Sequence, residues 1–172
     1  MHTSTTYNWV LAALMAVITL IASYIVVPFG AIPFTLQTMV VVLTGLLLPR
    51  KYAFVAMFIN AILLFMIKGA FVYSPSYGFI IGFIVAMVFA RANGSLKDET
   101  WQQFTLRALG MNAIIYLFGL GYMYLALNFL LNTPITWGQT FMSGMIVFIP
   151  TDIIKNVAAI ALALALNKRL AK

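Results

Sequence analysis

Between Met1 and Pro49 the chain carries no Asp, Glu, Lys or Arg, and Ala108 to Thr151 is again uncharged. A water-soluble fold cannot be covered with such segments, since charged residues average about a quarter of ordinary chains. Here they make up 8% of 172 residues against 64% hydrophobic, with a mean hydropathy of +1.05. This excludes a soluble enzyme, a nucleic-acid-binding domain and a disordered tail. The formal charge of +7 would suggest an anionic partner in a soluble protein, but these basic residues fall between apolar runs and mark membrane topology. With no cysteine, disulfides, iron–sulfur clusters and thiolate zinc sites are excluded, and the one histidine is His2. The sequence predicts an all-α integral membrane protein with its partner lipid bilayer, forming a single membrane domain over 1–172.

Crossing the hydrocarbon takes roughly 20 residues, so five or six helices fit. The charge positions divide them into 8–27, 36–48, 52–68, 77–92, 102–131 and 151–168. The second is short, so it is expected to stop below the surface and leave room for a loop packed over it. Residues 132–150 contain Pro134, Gly138, Gly144 and Pro150, so they are expected to form a loop with a short helical piece on one side of the membrane. Residues 1–8 lack Lys and Arg and 9–27 is long enough to span, so the first helix is read as retained. Six transmembrane helices put both termini on one side. With both termini cytoplasmic, Arg50, Lys51, Arg91, Lys97, Lys168, Arg169 and Lys172 all lie inside and Lys68 outside, as the positive-inside bias requires.

Small residues mark close packing. Gly78, Gly82, Ala86 and Ala90 form a stripe on the fourth helix, and Ala12, Ala16, Thr19 and Ser23 form one on the first. Each stripe is either an internal helix contact or a docking face for another membrane subunit.

Only one acid interrupts an apolar span. Asp152 and Lys155 are three residues apart and share a helix face. Ionised side chains at mid-membrane cost about 2.5–3.5 kcal/mol each on insertion scales, so a pair, a wet cavity or a ligand must compensate. Pro150 suits a first helical turn, which would set Asp152 near a positive helix end towards the outer face. The pair is either an internal ion pair or a polar anchor in an apolar pocket, and the second reading is preferred. Two Pro/Gly-containing loops fall on the same side: Pro28 to Gln37, carrying Phe34, Thr35 and Gln37, and Gly69 to Gly78, carrying Tyr73, Ser76 and Tyr77. Their aromatic rings, hydroxyls and amides are the mixture that lines small-molecule pockets. Tyr73 and Tyr77 also suit a membrane-interface belt.

Enzyme chemistry fails on inventory. A Ser/His pair within the membrane is impossible with His2 alone, an aspartyl intramembrane protease needs a second carboxylate, and there is no metal-ligand cluster or phosphate-binding Gly-rich loop. No catalytic residue, metal or cofactor is expected. Any energy for uptake must come from partners or an ion gradient.

Three ordered motifs then resemble one family. Pro33-Phe34-Thr35-Leu36-Gln37-Thr38 followed by Leu43-Thr44-Gly45-Leu46-Leu47-Leu48 is similar to the signature between the first two helices of the BioY family, the biotin-specific substrate-binding (S) components of energy-coupling factor (ECF) transporters. Pro75-Ser76-Tyr77-Gly78-Phe79-Ile80-Ile81-Gly82-Phe83 resembles its Pro-Thr-Gly-Gly-Tyr-Leu-Ile-Gly-Phe stretch, with Tyr77 at an expected glycine. Phe148-Ile149-Pro150-Thr151-Asp152-Ile153-Ile154-Lys155 resembles its Pro-Gly-Asp-Leu-Leu-Lys motif. The likeness runs over about 10–168.

The resemblance implies six helices in a bacterial or archaeal plasma membrane and an outward-facing pocket beneath the first and third loops. Biotin would be held partly by Asp152 and Lys155, with its rings against Tyr77 and Phe34. It implies a transmembrane coupling protein and two ATPases as partners, with Ala12 and Ala16 docking on the coupling protein. Capture from outside, loop closure and reorientation would follow, with ATP hydrolysed by the partners. The loop from 69 to 76 lacks the family's glycines, so its ligand contacts do not carry over. The alternatives are an S component for another small vitamin-like acid, a stand-alone proton-coupled carrier using Asp152, or a scaffold subunit with a purely structural pair.

Overall fold

The computed structural model describes residues 5–27, 34–69, 73–92 and 99–170, with only the backbone of Val27, Phe34 and 168–170. The described residues are dominated by helix. α1 (Thr5–Ala22) buries Asn8, Ala12, Met15, Ala16, Thr19 and Ala22 at helical spacing, while Val10, Leu14, Val17 and Ile21 point outward as a lipid-facing side should. The helix ends earlier than the expected 27. Val26–Val27 (β1) instead pairs antiparallel with Phe34–Thr35 (β2), Val26 opposite Thr35.

α2 (Gln37–Leu47) has 11 residues, or about 16 Å at the helical rise. It is hydrophobic nearly all round, and Val41, Val42, Leu46 and Gly45 are covered on every side by α1, α3 (Arg50–Lys68), α5 (Trp101–Leu125) and α7 (Ile149–Leu170). A central helix surrounded by others needs no polar face. Pro49 separates α2 from α3, which starts at Arg50 rather than 52.

α4 (Tyr77–Ala86) tightens into a 3₁₀ turn over Met87–Phe89, short of the expected 92. Its glycine stripe packs on α5: a Cβ on Gly82 would sit 2.9 Å from Ile115 Cα and 3.1 Å from Ile115 O. Only glycine allows that approach. α5 starts with a capping box between Thr100 and Gln103 and runs through a π-helical segment, Ala126–Leu130.

Residues 132–150 depart most from expectation. The chain leaves helical conformation from 131 to 136 and turns again at 147–148; in the first of these Asn128 closes the turn by donating to Tyr124 O and Ile135 O and accepting from Ile135 N. Helix then resumes as α6 (Trp137–Phe141), continues through a π-helical stretch (Met142–Ile146) and enters α7 after one turn. Pro150 lies in the first turn of α7, where its missing N–H would in any case have no intrahelical partner. Just before it the backbone bonds first more widely and then more tightly, Val147 N to Met142 O and Phe148 N to Met145 O.

Among the described residues, four helical stretches are long and apolar enough to cross a membrane: Thr5–Ala22, Arg50–Lys68, Trp101–Leu130 and Trp137–Asn167. Two shorter apolar ones, Gln37–Leu47 and Tyr77–Phe89, lie among them. At the end of α3 away from Lys68, Arg50 N donates to Arg91 O and Arg91 N to Gly45 O. Burial lowers the pKa of the Arg91 guanidinium from its usual value, with nearby Glu99 opposing that shift and Arg107 adding to it.

Candidate substrate-binding site

A cavity of about 120 Å³ opens between the helix ends at the Lys68 end of the fold. One water needs roughly 10–15 Å³ on such a measure, so the space suits a small molecule. Segments distant in sequence line it. Thr35, Gln37 and Thr38 come from the start of α2, Ser23 and Val26 from the chain leaving α1, and Lys68 from the end of α3. Ser76, Phe79, Ile80 and Phe83 come from the α4 region, Ile115 and Tyr116 from α5, and Gly144, Phe148, Asp152 and Lys155 from the last helical stretch.

Asp152 is the centre of the polar wall. Its Oδ1 accepts from Lys155 Nζ at 3.0 Å, and its Oδ2 accepts from the Tyr116 hydroxyl. Lys155 Nζ also donates to Thr38 Oγ1 at 3.2 Å, tying α7 to α2. Below the pair, Asn156 donates to Asp152 O and accepts from Asn112, tying α7 to α5. The side chains of Lys155 and Asp152 are only 8% and 13% exposed. Such a pair needs hydrogen bonds as well as mutual attraction to offset desolvation, and Thr38 and Tyr116 provide them.

Asp152 lies in the first turn of α7, as expected. Its own N–H bonds to Phe148 O in the turn before the helix, while hydroxyl and ammonium donors contact the carboxylate.

A second polar group fixes the floor. Gln37 Nε2 donates to Asn60 Oδ1 at 3.3 Å, and Asn60 Nδ2 donates to Ala16 O at 3.1 Å. Asn60 is almost fully buried, so these bonds join α1, α2 and α3 where water cannot compete.

The model of the BioY family matches residues 1–172. The chain belongs to the BioY family. It is 29% identical to a probable biotin transporter BioY of Lysinibacillus sphaericus, covering 95% of this chain and 88% of that protein. It is 30% identical to the probable biotin transporter BioY of Pyrococcus horikoshii, covering 89% and 91%. The fold matches a crystal structure of the S-component for biotin from an ECF-type ABC transporter, with a TM-score of 0.67 and 22% identity over 98% of this chain and 94% of that one.

In this member of the BioY family, Thr35, Gln37, Ser76, Asp152 and Lys155 come together on one cavity from three separate segments. Other expected positions do not join them. Tyr73 is 61% exposed, and Tyr77 sets its ring against Tyr122 at 5.6 Å; neither lines the cavity. The aromatic wall is formed by Phe79, Phe83 and Phe148 instead. The side chain of Phe34 lies outside the described residues, as do residues 28–33 and 70–72 of the two loops.

Ala12 and Ala16 are both 0% exposed, with Ala16 O bonded to Asn60. In this structure the stripe they form with Thr19 and Ser23 packs inside the chain.

The sequence reading missed Tyr116, Thr38 and Ser23 as lining residues. Thr38 stood inside a quoted motif. Tyr116 carries no charge and lies within a long apolar run, so only its hydroxyl could have drawn notice.

Proposed function

We propose that this chain is the biotin-binding S component of an ECF-type importer, a transport protein and not an enzyme. The observation that carries the proposal is the hydrogen-bonded Asp152–Lys155 pair on the wall of an otherwise largely apolar cavity, in a member of the BioY family. The ureido group of biotin has N–H donors and a carbonyl acceptor in one plane. A carboxylate offers about four lone-pair sites, and Lys155 and Tyr116 use two at Asp152. The others can accept ureido N–H bonds while the Lys155 ammonium donates to the carbonyl. Phe79, Phe83 and Phe148 supply the apolar surface that the fused rings and thioether need.

The chain is a single membrane domain in the plasma membrane of a bacterium or archaeon, with α2 and α4 counted as short spans among six. Both termini are cytoplasmic on this count, with Arg50, Lys51 and Arg91 on their side and Lys68 at the outer mouth. ATP hydrolysis belongs to partners, a transmembrane coupling protein and two ATPases. Thr35, Gln37 and Ser76 complete the ligand shell.

Titration of the purified chain with biotin tests the assignment. Saturable, tight binding is expected. Absence of biotin binding, with another vitamin-like acid binding tightly, would replace the substrate.

A further inference from the structure

A groove of about 800 Å³ lies at the opposite end of α3 from Lys68, between the start of that helix and the end of the fourth helical stretch. Clefts that hold small molecules run to roughly 300–1,000 Å³, so this one has room for a ligand. Arg50, Lys51, Phe54 and Val55 line it from α3, and Val85 and Val88 from α4 and its 3₁₀ turn. Arg50 N donates to Arg91 O at 2.8 Å, a backbone bond that ties the two walls together.

The two cations stand where the helix itself disfavours them. A helix N-terminus carries partial positive charge, yet the first turn of α3 holds Arg50 and Lys51 and no acid. Lys51 Nζ lies 5.8 Å from the centre of the Trp9 ring and 5.9 Å from that of Tyr52, and the two rings meet edge to face at 5.2 Å. Such rings attract an ammonium without neutralising it. Trp and Tyr at the end of a spanning helix mark head-group depth. No acid is among the described residues of the lining, and Glu99 and Asp152 are paired elsewhere, with Arg107 and Lys155. An anion in the groove would offset both side-chain charges and the helix end.

Away from the cations the lining turns apolar. Phe54 and Val88 are exposed, and Phe58, Ile62 and Phe65 continue the exposed face of α3 at helical spacing. That track suits an acyl chain descending into the hydrocarbon. A soluble anion would have no use for it.

We infer that this groove holds one phospholipid of net negative head-group charge, its phosphate between Arg50 and Lys51 and one acyl chain along the Phe54–Phe65 face. Basic pockets between spanning helices bind anionic head groups by the same attraction. A zwitterionic lipid is disfavoured, because its own ammonium would meet the two cations. The inference rests on the membrane reading of the chain and is independent of biotin.

Native mass spectrometry tests it on the purified full-length chain, in uncharged detergent with phosphatidylglycerol and phosphatidylcholine of identical acyl chains. One retained phosphatidylglycerol is expected, at ~10–30-fold preference, each basic residue near an anionic head group contributing about fivefold. Arg50→Gln with Lys51→Gln should abolish the preference, whereas Arg50→Lys with Lys51→Arg should keep it. Val88→Trp fills the groove with both charges in place and should also lower retention. Equal retention of the two lipids by the unmodified chain overturns the inference and needs no variant to fold. Full retention in a folded Val88→Trp protein overturns it too, since attraction would then be diffuse surface charge. Displacement of the lipid by inorganic phosphate would make the groove an anion site without an acyl chain. A folded Gln double variant that keeps the lipid but loses assembly with its transport partners would make it a protein interface. Either result also overturns the inference.

Discussion

The Tyr116 hydroxyl donates to Asp152 Oδ2, joining α5 to the last helix at the carboxylate oxygen that Lys155 does not occupy. Tyr116 also sets its ring edge-on to Phe79 at 6.4 Å, so its aromatic body has a packing role separate from its hydroxyl. Tyr116→Phe keeps the packing and removes the donor. We predict a folded protein whose biotin affinity falls ~10–100-fold, since a bond to a charged group contributes about 1.5–3 kcal/mol. Titration beside a melting curve checks this, and unchanged affinity would remove Tyr116 from the site.

Two glycines on facing helices should respond differently to the same change. Gly82→Ala places a methyl group against the backbone of Ile115, which cannot rotate away, so α4 and α5 must separate. A destabilisation of about 1–3 kcal/mol is expected from such overpacking. Gly121 has nothing within 4 Å of the same added atom, so Gly121→Ala should be neutral or slightly stabilising. Thermal unfolding in detergent compares them, and equal midpoints would contradict the close α4–α5 contact.

Much of the frame was legible because membranes make charge costly. The positions of Arg50, Lys68 and Arg91 divided the apolar runs well enough to find α3 and α4 within a few residues. Pro150 and Asp152 fall in the first turn of α7, as a proline suited to a helix start suggests, whereas the wider bonding at Met142–Ile146 just before it has no residue signature. For Ala12 and Ala16, small residues announce a close contact without naming its partner, and in this structure both are buried within the chain. Asp152 and Lys155 stood out as charges in an apolar run, whereas Tyr116 and Thr38 became visible only through what they touch.

Asn60 should matter more for the fold than for ligand chemistry. It is buried, accepts from Gln37 and donates to Ala16 O, but is absent from the cavity lining. Asn60→Leu leaves both partners without their bond, at about 1–3 kcal/mol for each unsatisfied buried group. We predict a lower unfolding midpoint, with biotin affinity reduced less than tenfold in the protein that remains folded. A larger loss of affinity at unchanged stability would move Asn60 into the site through Gln37.

The Asp152–Lys155 pair can be separated into structural and binding parts. Asp152→Asn or Lys155→Met alone leaves one charge without its partner in a poorly exposed place, which typically costs about 3–5 kcal/mol of stability. Changing both together removes the uncompensated charge. The Tyr116 hydroxyl can then donate to the introduced amide oxygen, and the Asn112–Asn156 link still joins α7 to α5. The double variant should therefore melt closer to the original protein than either single one. Its biotin affinity should nevertheless fall by roughly two to four orders of magnitude, because two bonds to charged groups are lost together. A double variant that folds and keeps its affinity would reduce the pair to an internal ion pair and shift the ligand to the other walls of the cavity. One that melts no higher than the single variants would show that the contacts of Thr38 and Tyr116 depend on the charges themselves.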